Sequence, residues 1–396
     1  MLLGLLTGCT FLGRAITFDV NREITGESWY RPLETVRGGA EPLPRTPVDP
    51  SSAESAAIET VATYTAERQT SALVVVHHGA IEFERHWARD GTATEGPTAD
   101  RTNSMSMGKT LTAMMVGLAI EDGAIRSVDD LAVNWLPEWQ EDARRSITIR
   151  QLLQMAAGLP EDTGTEIPPS AMIRMFLTGN LTFQALHEKL DHPPGERFAY
   201  SSIAPQSLGI VVERATHRRW SEYVSDRLWR HVGHHDAAVW IDHRGGTAHT
   251  FCCFFATADD YAALGQMLLN RGRLHDAQVL PETWVSAMTT PSPLDPDYGY
   301  QTWLAYDGPE STRRKERHED FIPRDCFWLD GRDQERVFVV PSRDLVIVRV
   351  GEDTDHDPKG DSGVGNWDDA WVVNTIVRGV DAEGSATLRP ARDSPQ

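Results

Sequence analysis

The sequence predicts an α/β (α+β) fold in which one antiparallel sheet, flanked by helices, is assembled from both ends of the chain, with a mainly helical lobe inserted between them. Three observations carry this expectation. β-rich runs lie towards both ends, "SALVVVHHGAIEFERHW" at 71–87 and "ERVFVVPSRDLVIVRVG" at 335–351. The stretch between, about 126–245, has helical patterns such as "SITIRQLLQMAAGL" and "SEYVSDRLWRHVG" and few strand-like runs. A last helical pattern, "NWDDAWVVNTIVRGV", follows the second β-rich run. Strands from both termini with helices between them fit a single sheet with an insertion, and 396 residues suffice for one large domain of this kind.

Taken in order, residues 1–58 read as an N-terminal segment. Its second half, "RGGAEPLPRTPVDPSSAESAAI" (37–58), is rich in Pro, Gly and Ser and reads as an extended arm. Residues 59–125 and 246–380 then form the α/β domain, 126–245 the helical lobe and 381–396 a tail. In 71–87 two β-rich runs flank a turn containing Gly79, a hairpin signal. The polar stretch 88–103, "ARDGTATEGPTADRTN", shows no strand pattern. From Ser106 onwards Leu111, Met114, Met115, Leu118 and Ala119 recur at helical spacing, the apolar stripe of a core-facing helix, and Gly123 ends it as a C-cap glycine. "TADDYAALGQMLLNRG" (257–272) has the same grammar: an acidic start, helical spacing and a closing glycine. In 335–351 the turn "PSRD" joins two strands.

Composition excludes some classes of function. A formal charge of −20 opposes a nucleic-acid partner, because an acidic surface repels phosphates. No segment approaches the roughly 18 to 20 continuous apolar residues of a membrane span. Lysine occurs only at 109, 189, 315 and 359, which makes each one informative. The four cysteines (Cys9, Cys252, Cys253, Cys326) fit neither a disulfide scaffold nor a zinc pattern, and adjacent Cys252 and Cys253 read as small buried apolar residues. Cys9 ends "LLTGC", the form of a bacterial lipobox, and so marks a candidate lipid anchor and a periplasmic or cell-envelope location. The run before it is shorter than the roughly 7 to 15 apolar residues of a secretory signal, so the cytoplasm stays open as the other location.

The chemistry centres on "NSMSMGKTLTAMMVG" (103–117), where two motifs overlap. "MGKT" is the second half of a phosphate-binding loop; "SMGK" is a serine three residues before a lysine. The loop requires a glycine five residues before its Gly-Lys-Thr and a preceding buried strand. The sequence has Asn103 at that position, after polar residues, so an NTPase fails on both counts. The other motif follows from helix geometry. Residues three apart share a face about 5 to 6 Å apart at Cβ, so Lys109 reaches the Ser106 hydroxyl when both lie in the first turn. The helix N-terminus favours a developing oxyanion and disfavours an ammonium, and a neutral lysine serves as a base. This is the one Ser-x-x-Lys in the sequence, and it begins its clearest helical pattern.

"SMSMGKTLTAMMVGLAIEDGAI", "ITIRQLLQMAAGL", "PPGERFAYSS", "ATADDYAALGQMLLNRG" and "VFVVPSRDLVIVRVG" resemble, in the same order, segments of the serine β-lactamase and penicillin-binding-protein superfamily. Its first motif is Ser-x-x-Lys. The likeness is to its class C-like branch of esterases and amide hydrolases, which includes the 6-aminohexanoate-dimer hydrolases, and covers roughly residues 70–380. It implies a β-lactamase-like fold and acyl transfer through an acyl-enzyme on Ser106, with Lys109 and Tyr200 of "YSS" as proton-transfer residues. It implies no metal or organic cofactor, and a small-molecule ester or amide as substrate. Ser202 stands where the β-lactamase pattern has Asn, and is the implied substrate-binding residue there. The third motif would fall at Leu329, Asp330 and Gly331, lining the substrate, with the backbone N–H groups of Ser106 and Arg332 as oxyanion hole. Leu329 replaces the cationic or polar residue of that motif, which favours ester or amide hydrolysis over β-lactam hydrolysis. A non-catalytic sensor of the same fold, or a genuine β-lactamase, are the alternatives.

Two other groups could suggest metal ligands and are not read as a metal site, since no His-Glu-x-x-His occurs anywhere. "HVGHHD" gathers His231, His234, His235 and Asp236 at a helix end where histidines are electrostatically welcome. "HHG" puts His77 and His78 at a strand end. The acidic run 352–363 lacks the spacing of a calcium loop and reads as a solvated loop.

Overall fold

The computed structural model describes residues 12–17, 27, 29–88, 91–162, 169–306, 308, 311, 319–351 and 367–387. Cys9 and the acidic run 352–363 lie outside them. The described strands used below are β1 (Leu33–Val36), β2 (Thr70–His77), β3 (Ala80–Trp87), β4 (Ala93–Glu95), β5 (Thr102–Asn103), β6 (Ala237–Trp240), β7 (Phe254–Ala256), β8 (Trp303–Leu304), β9 (Phe327–Asp330), β10 (Arg336–Val340) and β11 (Leu345–Gly351). The helices are α1 (Ala53–Ala66), α2 (Met107–Glu121), α3 (Ile149–Leu153), α4 (Ala171–Leu177), α5 (Leu181–Leu186), α6 (Ile203–Thr216), α7 (Ala258–Leu269) and α8 (Asp369–Thr387). No described helix is long and apolar enough to cross a membrane.

The main sheet has seven antiparallel strands in the order β8-β9-β10-β11-β2-β3-β4, so the two ends of the chain meet where β11 pairs with β2. Both faces are covered, which explains why "LVVV", "VFVV" and "LVIV" are continuous apolar runs rather than alternations. Ala72, Val74, Val76, Val337, Val339, Val346 and Val348 face a core shared with α2 and α7. Leu73, Val75, Phe338, Val340, Leu345 and Ile347 face a second core under α1 and α8. The expected hairpins are both present, and His78 (φ 51°) and Gly79 (φ 76°) make the tight turn between β2 and β3.

The structure departs from the expectation of one sheet. A second, four-stranded sheet, β1-β6-β7-β5, lies beside the helical lobe. Its strands are two to four residues long and one, β5, is the polar pair Thr102–Asn103, so no period-2 signal marks them. β4 likewise arises in the polar stretch 88–103, fully exposed and paired with β3 through its backbone. Helix α1 starts at Ala53 behind the Ser52 N-cap, straddling residue 58, where the arm was expected to give way to the folded domain.

Helix α2 also differs from a one-faced amphipathic helix: every residue from Met107 to Ala119 is buried. It runs through the middle of the molecule, against the sheet core, α6 and the segment that carries Trp284. A helix in that position has room on one side only for a residue without a side chain. A Cβ on Gly117 would lie 2.4 Å from the Trp284 indole, which is fixed by donation from its Nε1 to the Ala113 carbonyl at 3.1 Å. Gly117→Ala is therefore expected to destabilise the fold by about 1–3 kcal/mol. A lower midpoint of urea denaturation is the measurement, and an unchanged midpoint counts against this packing.

Candidate active site

β5 delivers the chain to the site. Asn103 Oδ1 accepts from the Met105 N–H at 3.1 Å, the Ser104 N–H donates to the Phe254 carbonyl at 2.7 Å, and Met105 adopts φ 42°, a left-handed turn. Ser106 follows as the N-cap of α2, with no side-chain capping bond of its own. Its neighbours are buried while it is half-buried, so Ser106 alone of this turn keeps contact with solvent.

Lys109 lies one turn on, 2% exposed. Its Nζ donates to Ser106 Oγ at 2.8 Å and to the Phe251 carbonyl at 3.1 Å, and is 5.0 Å from the centre of the Tyr200 ring. Burial pushes the lysine down to about 8, against the pull of the Asp162 and Asp330 carboxylates in the opposite direction. Tyr200 is half-buried, stacked on Trp303 at 5.9 Å. The three residues expected to carry the chemistry thus come together around one ammonium.

The residues expected to bind substrate are placed differently. Ser202, as N-cap of α6, has no exposed surface; its Oγ donates to Asp162 Oδ2 at 2.6 Å and its N–H to the same carboxylate at 3.0 and 3.1 Å. The hydroxyl is thereby engaged by Asp162. Leu329 is also not a cleft residue: it is 1% exposed in the core shared with α2, because on β9 it alternates with Trp328, which faces the other core. Asp330 ends the strand and pairs with Arg336 at 3.0 Å.

Gly331 does approach the turn that leads into Ser106. A Cβ there would lie 2.9 Å from the Ser104 carbonyl oxygen and 3.3 Å from Met105 Cβ, so only glycine lets β9 pack against the residues leading into Ser106. Arg332, exposed, follows it. Arg336 holds this turn by donating to the carbonyls of Gly331 (2.7 Å) and Glu335 (2.9 Å), across two left-handed residues, Asp333 (φ 66°) and Gln334 (φ 57°).

Asp162 and Arg336 were not singled out in the sequence. Asp162 reaches the site from a loop far from α2 in sequence, with only a lone Asp in "LPED" to announce it. The signal for Leu329 was available in the apolar run "FWL", which has the pattern of a strand buried on both faces. Cys252 and Cys253 are buried as expected, but they are bonded to each other as a disulfide, a correction to their reading as plain apolar residues. Cys253 takes φ 68° in the turn after Phe251. Three of the "HVGHHD" side chains are engaged locally: Asp236 pairs with Arg37 at 2.7 Å, His234 Nδ1 contacts the Ala40 carbonyl at 3.0 Å and His235 Nδ1 is 3.3 Å from Asp260.

A sheet covered by helices on both faces with a helical lobe beside it, and a Ser-x-x-Lys pair opening the central helix, define the class: the chain belongs to the Beta-lactamase family, whose match spans residues 57–363. Within it, the chain is 28% identical to 6-aminohexanoate-dimer hydrolase of Paenarthrobacter ureafaciens over 235 residues, covering 56% of this chain and 57% of that protein. It is also 27% identical to Protein flp of Staphylococcus aureus (strain MRSA252) over 122 residues, 29% of this chain and 24% of that protein. The matches thus span less than two thirds of either relative. Among solved structures, a Bacillus anthracis protein assigned as a 6-aminohexanoate-dimer hydrolase superposes with a TM-score of 0.70 at 18% identity, covering 94% of both chains. A family VIII carboxylesterase superposes with a TM-score of 0.58 at 13% identity, covering 87% of this chain and all of the other. At these identities the structures share the fold.

Since the Asp162 carboxylate favours the charged form of Lys109, Asp162→Asn removes that pull while leaving an acceptor for Ser202. The lysine then loses its proton at lower pH. The pH profile of Ser106 acylation by a fluorophosphonate is expected to shift towards acid relative to wild type; a shift towards alkali would contradict this placement of charge.

Proposed function

We propose that the protein is a serine hydrolase that cleaves an ester or amide of a small molecule through an acyl-enzyme on Ser106. The observation that carries this reading is the 2.8 Å contact of Lys109 Nζ with Ser106 Oγ, made by an amine whose burial holds its pKa near 8. A fraction of such lysines is neutral at physiological pH and accepts the serine proton as Oγ attacks the substrate carbonyl. The tetrahedral oxyanion forms at the N-terminus of α2, where the helix dipole and the Ser106 N–H stabilise it, with the Arg332 N–H as the second donor.

Tyr200, beside the ammonium, passes the proton to the leaving alcohol or amine. Water then attacks the acyl-enzyme, its proton returning through the same lysine and tyrosine, and the acid is released. Every step uses side chains and backbone of this chain. The buried Leu329 supports an ester or amide in preference to a β-lactam, because no cation from that position faces a substrate carboxylate. The relatives named as a dimer hydrolase and a carboxylesterase agree in reaction type with this proposal.

Intact-mass analysis after fluorophosphonate treatment is expected to show one adduct on the wild type and none on Ser106→Ala. Equal hydrolysis of short-chain esters and amides by the two proteins would refute the assignment. An acyl-enzyme that forms and never turns over would favour a sensor instead, and nitrocefin turnover at rates typical of good enzymes would favour a β-lactamase. For wild type, kcat/KM is expected to rise with pH through a pKa of about 8 as Lys109 loses its proton. Lys109→Arg keeps the charge but cannot deprotonate in this range, so activity is expected to fall by about 10²-fold or more at every pH.

A further inference from the structure

The turn end of the β2–β3 hairpin carries a group of ligating side chains that takes no part in the acyl-transfer site. Glu54 lies in the first turn of α1, His77 ends β2 and Glu82 stands on β3. His77 Nδ1 is 2.9 Å from Glu54 Oε1 and 3.7 Å from Glu82 Oε2, and one ligand atom from each of the three lies within 4.8 Å of the others. The Glu54 and His77 side chains are 7% and 8% exposed. His77 Nδ1 is thus ion-paired with Glu54 and faces Glu82, so two carboxylates converge on one imidazole nitrogen inside the fold. Such a donor set takes up a cation by releasing the proton its members share.

The spacing is compatible with a shared ion. Two ligand atoms, each about 2.1 Å from it, stand about 3.0 Å apart at a right angle and about 3.4 Å apart at the tetrahedral angle. The 2.9 Å contact of His77 Nδ1 matches a near-right angle, and the 3.7 Å contact closes on the tetrahedral spacing with a small side-chain adjustment. A cavity of about 590 Å³ opens beside the group, lined also by His78, Asp344 and Glu383, with room for the waters that complete a coordination shell. Arg343, a cation on the cavity wall, is engaged by Asp381 at 2.6 Å.

We propose that Glu54, His77 and Glu82 bind a divalent transition-metal cation of the Zn²⁺ type, with water in its remaining positions. One imidazole nitrogen and two carboxylates suit such an ion better than Ca²⁺ or Mg²⁺, which take oxygen ligands almost exclusively. The three ligands come from a helix and two strands, so the ion braces α1 against the hairpin at the edge of the second core.

The test uses the full chain, stripped with a chelator and titrated with Zn²⁺ by calorimetry, with Co²⁺ absorption as a report on the ligand field. One equivalent is expected to bind, and Zn²⁺ is expected to raise the melting temperature of the stripped protein. His77→Gln is expected to weaken binding by at least about tenfold, as is Glu82→Gln, whose more exposed position keeps the fold intact. Absence of Zn²⁺ and Co²⁺ uptake by wild type would overturn the site, leaving an imidazole held between carboxylates. So would uptake of unchanged affinity in Glu82→Gln and in a folded His77→Gln.

Discussion

The hydrogen bond from Lys109 Nζ to Ser106 Oγ joins two side chains three residues apart on one helix, but what makes it chemically useful is the burial of the amine. An exposed lysine beside a serine would stay protonated and idle. Burying the ammonium penalises it by removing water, and the fold must replace that water in part or the helix would not form there. The Phe251 carbonyl supplies one acceptor and Ser106 another, while the Tyr200 ring faces the charge. Asp162 and Asp330 temper the penalty from farther away. The pKa near 8 is the balance of these opposing contributions.

Much of the surrounding architecture follows from holding that balance. For Phe251 to reach Lys109, α2 must lie close against the segment 251–253, and Gly108 permits it: a Cβ there would meet the Cys252 carbonyl at 3.1 Å. Thr112 Oγ1 reinforces the approach by donating to the Thr250 carbonyl at 2.6 Å. On the opposite side Gly331 lets β9 close on Ser104 and Met105, and Arg336 clamps the turn beyond it. Glycine, lysine and threonine at 108–110 are thus explained by helix packing and a buried amine. No phosphate is needed to account for them, and the residue where a phosphate loop would need glycine, Asn103, instead braces the turn into Ser106 through its side chain.

How much of this was legible in the sequence depends on how far apart the interacting residues are. Ser106 and Lys109 were readable because their geometry is fixed by one turn of helix. The hairpins were readable because Gly79 and "PSRD" punctuate long apolar runs. The second sheet was not, since strands of two to four residues gain their identity from partners distant in the chain rather than from any local period. Asp162 was hidden for the same reason: its contact with Ser202 spans 40 residues, and nothing local distinguishes it from any loop aspartate.

The misplacement of Leu329 and Ser202 shows where motif reasoning and packing diverge. A motif assigns a position to the cleft, but the strand's alternation and the helix's N-cap decide which way a side chain points. Leu329 has Trp328 as its neighbour on a sheet covered on both faces, so either orientation buries it. Ser202 begins α6, and an unsatisfied N–H there beside a buried carboxylate draws both its backbone and its hydroxyl to Asp162. What the motif identified at these two positions is therefore the backbone path that shapes the cleft. The charge at that wall comes from Asp162, behind Ser202, and from Asp330, already paired with Arg336. The negative charge that Asp162 and Asp330 bring to the surroundings of Lys109 opposes an anionic substrate, which is the electrostatic reason for proposing neutral esters and amides first.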